Sequence, residues 1–303
     1  MLPLIGDLAP PNRRATALSI VVSGLLGGVL IARLLSGVVT EFVSWRTIYW
    51  LAFGLQALIF ILLLFLLPAY PAKNPPSGQH FIVVYFKLLW SILTLLAKQP
   101  LLVQSCGLGL CAATTFTSFW TTLTFLLSSP PYNYSPLTIG LLALVGLASL
   151  LIGPVYSRVI IDRFVPHASV MLGNLINLTG VLIGTFVAPI NVSGAIMQAF
   201  LLDLGLQTAQ IANRSAIYSI EPNARNRLNT AFMLSVFAGQ IIGTAVGNAV
   251  YAREGWYGSN GVSAGFLGLT MVIWLLRGPK ETRWVGWKGG WDFQREDLDT
   301  QNT

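Results

Sequence analysis

Long apolar stretches broken by short polar turns set the pattern of this chain. A membrane-spanning helix needs about 20 mostly apolar residues, and eight stretches meet that need: roughly 15–40, 46–68, 101–128, 136–157, 168–189, 192–213, 228–252 and 259–276. One internal connector, 69–100, is long. Pro68, Pro71, Pro75, Pro76 and Gly78 interrupt its start. Its later part, 86–98, places apolar residues at helical spacing between lysines, which predicts a helix lying on the membrane surface. The pattern is that of an all-α polytopic membrane protein.

Composition sharpens this reading. Of 303 residues, 54% are hydrophobic and 10% charged, and the mean hydropathy is +0.68. A soluble globule of this length carries far more charge. The net charge of +7 raises nucleic acid as a partner, but no basic run with interleaved aromatics is present and a nucleic-acid role is excluded. Cys106 and Cys111 share one apolar span and read as small packing residues, neither a disulfide nor a metal pair. No metal or cofactor is expected.

The charges also orient the chain. All of the 18 basic residues except Arg33, Arg46 and Arg253 fall in one set of alternate loops and in the tail. By the positive-inside rule both termini and the 69–100 connector are expected in the cytoplasm. The triplets Asn133-Tyr134-Ser135 and Asn191-Val192-Ser193 then lie outside, where such sequons are glycosylated. Trp284, Trp287 and Trp291 in the tail are expected as interfacial anchors.

One stretch occurs twice. Moving 221–256 back by 211 positions aligns Pro222 with Pro11, Arg225 with Arg14, Gly239 with Gly28, Gly243 with Ala32, Gly247 with Ser36 and Trp256 with Trp45, without a gap.

These residues carry a resemblance. DLAPPNRRATAL, the glycine-spaced span after it and SWR, together with DLGLQTAQIANRSAIYSIEPNARNRLNTAFM, resemble the major facilitator superfamily, in particular its proton-coupled drug and sugar-efflux permeases. The resemblance implies family helices 5–12. The first half (1–68) would hold helices 5–6, followed by a cytoplasmic linker (69–100), a six-helix second half (101–277) and a cytoplasmic tail (278–303). Because the fold is built from parallel repeats, the offset implies that about 110 residues, helices 1–3 and most of helix 4, are absent from the first half.

Candidate chemistry lies inside the spans. Asp203 stands near the middle of the sixth, where an acid costs about 2.5 to 3.5 kcal/mol to insert. Gln207 and Gln210 follow on the same face, and Asn213 extends the stripe. Such a stripe suits a proton or cation site; the alternative is a structural acid bonded to a neighbouring helix. Gln104, Thr117, Trp120 and Thr121 in the third span suit the wall of a cavity for a small organic molecule, although threonines also bond their own helix backbone. Arg33 reads as a packing or snorkelling arginine near the outer end of its helix.

Gly24 and Gly28, with Gly239, Gly243 and Gly247, have the spacing that lets helix backbones approach. They serve either packing or gating. By resemblance Arg33 stands at the proline position of the family's antiporter motif. Asp162 and Arg163 match its cytoplasmic loop signature, with Arg14 and Arg225 as the cations near helix starts.

Gly261, Ser263 and Gly265 fit a hydrolase pattern, but that chemistry needs a strand-to-helix turn and a later histidine. His80 and His167 both precede the serine. No phosphate-binding Walker loop is present. The chain is therefore expected to be no enzyme, but a secondary transporter of a small organic solute working by alternating access, with protons, solute and the lipid bilayer as partners and a monomeric state. The alternative is a truncated, non-transporting fragment or an interaction protein.

Overall fold

The computed structural model describes residues 14–66, 81–156, 164–221 and 224–288. These residues form nine helices: α1 (Arg14–Phe42), α2 (Arg46–Leu66), α3 (Phe81–Lys98), α4 (Pro100–Ser128), α5 (Pro136–Leu141), α6 (Ala143–Tyr156), α7 (Pro166–Val187), α8 (Val192–Tyr218) and α9 (Arg225–Leu275). By length and composition, α1, α2, α4, α7 and α9 are each apolar enough to cross a membrane. The eight expected passes map onto α1, α2, α4, α5 with α6, α7, α8 and the two arms of α9. α2 buries no residue, so its whole apolar surface is left for lipid, where a helix satisfies its own backbone. The molecule is an integral membrane protein.

Three boundaries differ from expectation, each for a local reason. The turn expected between the last two spans contracts to Gly255, whose φ of 66° and ψ of −155° break an otherwise unbroken helical run. A positive φ costs glycine nothing, so one residue reverses the chain. The reversal is visible against α4. Gly239, Gly243 and Gly247 lie beside Leu110, Thr114 and Ser118 in the same order. On the returning arm, Ser263 and Ser259 meet Thr115 and Ser118 in the opposite order.

The fourth span breaks at Leu142, where the amide bonds back to Ile139 at 3.2 Å, separating α5 from α6. α8 runs on to Tyr218, and this corrects the placing of Arg214 in a loop. The arginine is inside the helix and 1% exposed, because its guanidinium packs over Phe232 at 5.5 Å and Nη2 donates to Met233 Sδ at 3.3 Å.

α9 packs along α4 as a hairpin, closing the polar threonines of α4 against backbone. Thr114 Oγ1 donates to Leu110 O and to Gly239 O at 3.0 Å, so the hydroxyl ties two helices together. Cys106 and Cys111 are free and buried. The main core gathers Leu30, Phe116, Phe119, Trp120, Leu202 and Trp256 around the middle of the bundle. Trp256 is locked there by its indole N–H to Gly184 O at 2.9 Å. α3 is amphipathic as expected, docking Ile92, Leu95 and Leu96 on the bundle with Trp90 exposed.

The tail does not use its tryptophans alike. Trp284 is exposed, whereas Trp287 packs edge-on against Trp274 at 5.4 Å and His167 at 5.8 Å; it is a packing residue, because the strand-like contact of Arg277 with Gly286 folds the tail back. Trp291 lies outside the described residues.

Candidate functional site

The middle of the bundle holds two opposed charges on different helices. Asp203 comes from α8 and is 3% exposed. Arg33 comes from α1, with its guanidinium over the Trp120 ring at 4.8 Å and Nη1 donating to Trp120 O at 3.4 Å. Arg33 therefore points inward to an aromatic shelf, the packing alternative of the two expected for it, and does not snorkel. The two charges feel each other but do not close into an ion pair, and Trp120 Nε1 stands beside the carboxyl outside hydrogen-bond geometry. Asp203 Oδ2 has no hydrogen-bond partner among the described residues.

Space for that carboxyl comes from α6. A Cβ on Gly146 would collide with Asp203 Oδ2 and stand 2.8 Å from Leu30. Nothing in the sequence sets Gly146 apart from other glycines in apolar spans, and it was not foreseen. Leu30, fully buried, was missed for the same reason: it is one leucine among many.

The expected stripe on α8 is buried along its length. Gln207 Nε2 donates to Ser23 Oγ of α1 at 2.8 Å, and its Oε1 has no described partner. Gln210 lies one turn further and its Oε1 is likewise unpartnered.

Two cavities lie in the bundle on either side of the core around Leu30, Phe116 and Trp120, and Asp203 lines neither of them. One of about 260 Å³ is lined by Arg33, Ser36, Thr40, Trp120, Thr124 and Tyr134, among others, and lies towards the loops poor in basic residues. The other, about 150 Å³, is lined by Val29, Phe116, Leu206, Gln210, Met233 and Gln240. Along α1 and α4 the residues of the first cavity follow those of the second, so Leu30, Phe116 and Trp120 separate them at the depth of Asp203.

The expected cavity wall on α4 is only partly present. Trp120 lines the larger cavity. Thr121 Oγ1 is bonded to Thr117 O at 2.9 Å, a backbone role. Thr117 itself lines neither flanking cavity. Gln104 is elsewhere: its amide donates to the carbonyls of Ile273, Trp274 and Arg277 at 3.1 to 3.4 Å. These are orphan C=O groups at the C-terminus of α9, so Gln104 caps a helix and lines a third cavity of about 170 Å³ with His167, Asn213 and Arg277.

The glycines divide. Added Cβ atoms on Gly239, Gly243 and Gly247 would strike α4, so these three are packing contacts. Gly24 and Gly28 face nothing within 4 Å. In α1 the close approach is made instead by Gly37, where a Cβ would stand 2.7 Å from Gly140 Cα and from Pro136 O of α5. Arg225 Nε reaches Tyr218 O at 3.5 Å, joining the start of α9 to the end of α8. Arg14 begins α1 but its side chain, like Asp162 and Arg163, lies outside the described residues.

Known proteins agree with this architecture. Residues 1–220 match the family model described as Major Facilitator Superfamily. The chain is 31% identical over 274 residues to the putative uncharacterized transporter YgaY of Escherichia coli (strain K12), covering 90% of this chain and 67% of that protein. The chain belongs to the major facilitator superfamily. Other relatives are a probable transporter of Streptomyces coelicolor, 26% identical over 91% of this chain and 62% of that protein, and a probable sugar efflux transporter of Helicobacter pylori (strain G27), 25% identical over 90% and 66%. The chain thus spans about two thirds of the length of these relatives. As a major facilitator protein it is a membrane transporter of small molecules and no enzyme.

Proposed function

We propose that this chain moves a small organic solute out of the cell by alternating access, as a proton-coupled antiporter, with both termini on the cytoplasmic side. In this reading α1 and α2 belong to the first half of the fold, 69–100 links the halves, and α4–α9 form the second half. Asp203 carries the proton. The supporting observation is its carboxyl group, buried in the interior of the bundle with Oδ2 unpartnered among the described residues, near Arg33 but not bonded to it. A charge in that position is costly unless it faces a partner or a water-filled path. Pairing with Arg33 and carrying a proton are then alternative states of one carboxyl group, which is what coupling requires.

Trp120 and the hydroxyl groups around Arg33 receive the solute, while Gln207 and Gln210 line the route to the opposite side. The glycines of α9 let that helix lie close to α4, and Gly37 and Gly140 do the same for α1 and α5. Movement of one half against the other at the α1–α5 seam opens one cavity as it closes the other. The name of the Helicobacter pylori relative points to sugars as the solute class to try first.

The test is flux in reconstituted vesicles. Purified chain in liposomes with an imposed pH gradient is expected to show proton movement that depends on added sugar or sugar acid. Solute flux that ignores the gradient would remove the antiport reading while leaving transport in place.

A further inference from the structure

The larger cavity has one charged lining residue, Arg33. Its guanidinium makes a single hydrogen bond among the described residues, to Trp120 O, and its buried Nε has none. An unpaired buried donor on a charged group is costly, and arginine presents a planar fork that matches a carboxylate. Glu41, the residue after Thr40 of the lining, has its Oε2 engaged with the Leu137 N–H at 3.1 Å. Among the described residues no acid lines the cavity, so it offers no carboxylate to a cationic solute, and the Trp120 ring is already covered by the Arg33 guanidinium.

The rest of the lining is hydroxyl-rich. Thr40 and Ser128 bond their own helix backbone. Among the described residues, no hydrogen bond occupies the hydroxyls of Ser36, Thr124 or Tyr134, which also line the space. A second buried guanidinium points the same way. Arg214 is 1% exposed, with Nε and Nη1 unpartnered among the described residues, and it rests on Met233, which lines the cavity on the other side of the Leu30, Phe116 and Trp120 core. Among the described residues the guanidiniums of Arg33, Arg214 and Arg277 are buried or half-buried against one buried carboxylate, Asp203.

We infer that the solute is a small hydroxylated carboxylate, the class of the sugar acids, whose carboxylate is held by Arg33 and whose hydroxyl groups meet Ser36, Thr124 and Tyr134. This rests on the transport reading above and names its solute class. A matched pair of probes tests it: glucuronate, an anion, and glucose, neutral and of nearly the same size. Binding to the purified chain is measured by calorimetry, and flux in liposomes with proton movement recorded.

Glucuronate is expected to bind about tenfold or more tightly than glucose. Arg33→Gln is expected to erase that preference, and Arg33→Lys, which keeps the charge but not the fork, to retain part of it. Equal binding of the two sugars, tighter glucose binding, or no binding of either overturns the inference; the wild-type comparison decides this even if Arg33→Gln fails to fold. Glucose flux coupled to protons would overturn the solute class and leave antiport standing. Glucuronate flux without proton movement would support the class and remove antiport.

Discussion

The guanidinium of Arg33 lies over the ring of Trp120 at 4.8 Å and bonds the carbonyl of the same residue. One residue of α4 therefore holds the α1 charge by face and by backbone. A cation over tryptophan contributes about 0.5 to 2 kcal/mol, most when water is excluded. Trp120→Ala removes the ring and opens a void in the core, and is expected to cost about 3 to 5 kcal/mol, with Trp120→Phe milder. Thermal unfolding in detergent measures both; equal, small losses would show that the shelf does not hold the bundle.

Gly146 fixes where the Asp203 carboxyl can sit. Gly146→Ala places a methyl group against Oδ2 and Leu30, so the carboxyl must move. The expected result is loss of proton-coupled flux by about tenfold or more, equivalent to about 1.4 kcal/mol, with little change in helix content by circular dichroism. Wild-type flux in this variant would show that the position of the acid is not critical.

The glycines offer a matched contrast. Gly243→Ala drives a Cβ into the backbone of Thr114 and is expected to destabilise by about 1 to 3 kcal/mol. Gly24→Ala and Gly28→Ala meet nothing within 4 Å and are expected to be neutral or stabilising by up to about 1 kcal/mol, through helix propensity. Melting temperatures of the three variants rank them; loss of stability in the α1 variants would mean that this face is packed in the working protein.

The tail cap should respond to acid. The N–H groups of Arg283 and Thr282 bond Glu281 Oε1 and hold its carboxyl below the ordinary glutamate range. Arg277 in turn bonds the backbone carbonyls of Glu281 and Arg283. A depressed carboxyl pKa stabilises the cap above the unfolded-state value, and that contribution is lost as pH falls through the lower folded-state value. The protection factors of the Gly278 and Gly286 amides, which close the cap, measured against the intrinsic exchange rate at each pH, are expected to be high at neutral pH and lower in acid. Glu281→Gln should show low protection at both; unchanged protection would show that the backbone bonds suffice alone.

Much of this was legible from pattern. The apolar run lengths announced the passes, and the Asp203, Gln207 and Gln210 spacing announced one buried face, because helical periodicity is local. What the pattern hid is tertiary. Arg33 looked like a residue near a helix end, yet a tryptophan 87 positions away gives it a shelf. Gly24 and Gly28 have the same spacing as Gly239 and Gly243, but only a neighbouring helix makes such spacing a seam. Gln104 read as a wall residue because a polar side chain in an apolar span suits a solute; it does line a cavity, but one away from Asp203, and its amide serves carbonyls at the end of α9. Arg214 read as a loop charge because the packing surface of Phe232 and Met233 lies on another element.

The central claim is that Asp203 carries the coupling proton, and Asp203→Asn tests it most directly. The measurement is proton movement per solute transported in liposomes across a pH gradient. The account predicts that the asparagine variant still exchanges solute across the membrane but no longer couples that exchange to protons. Coupling that survives at the wild-type ratio would contradict it.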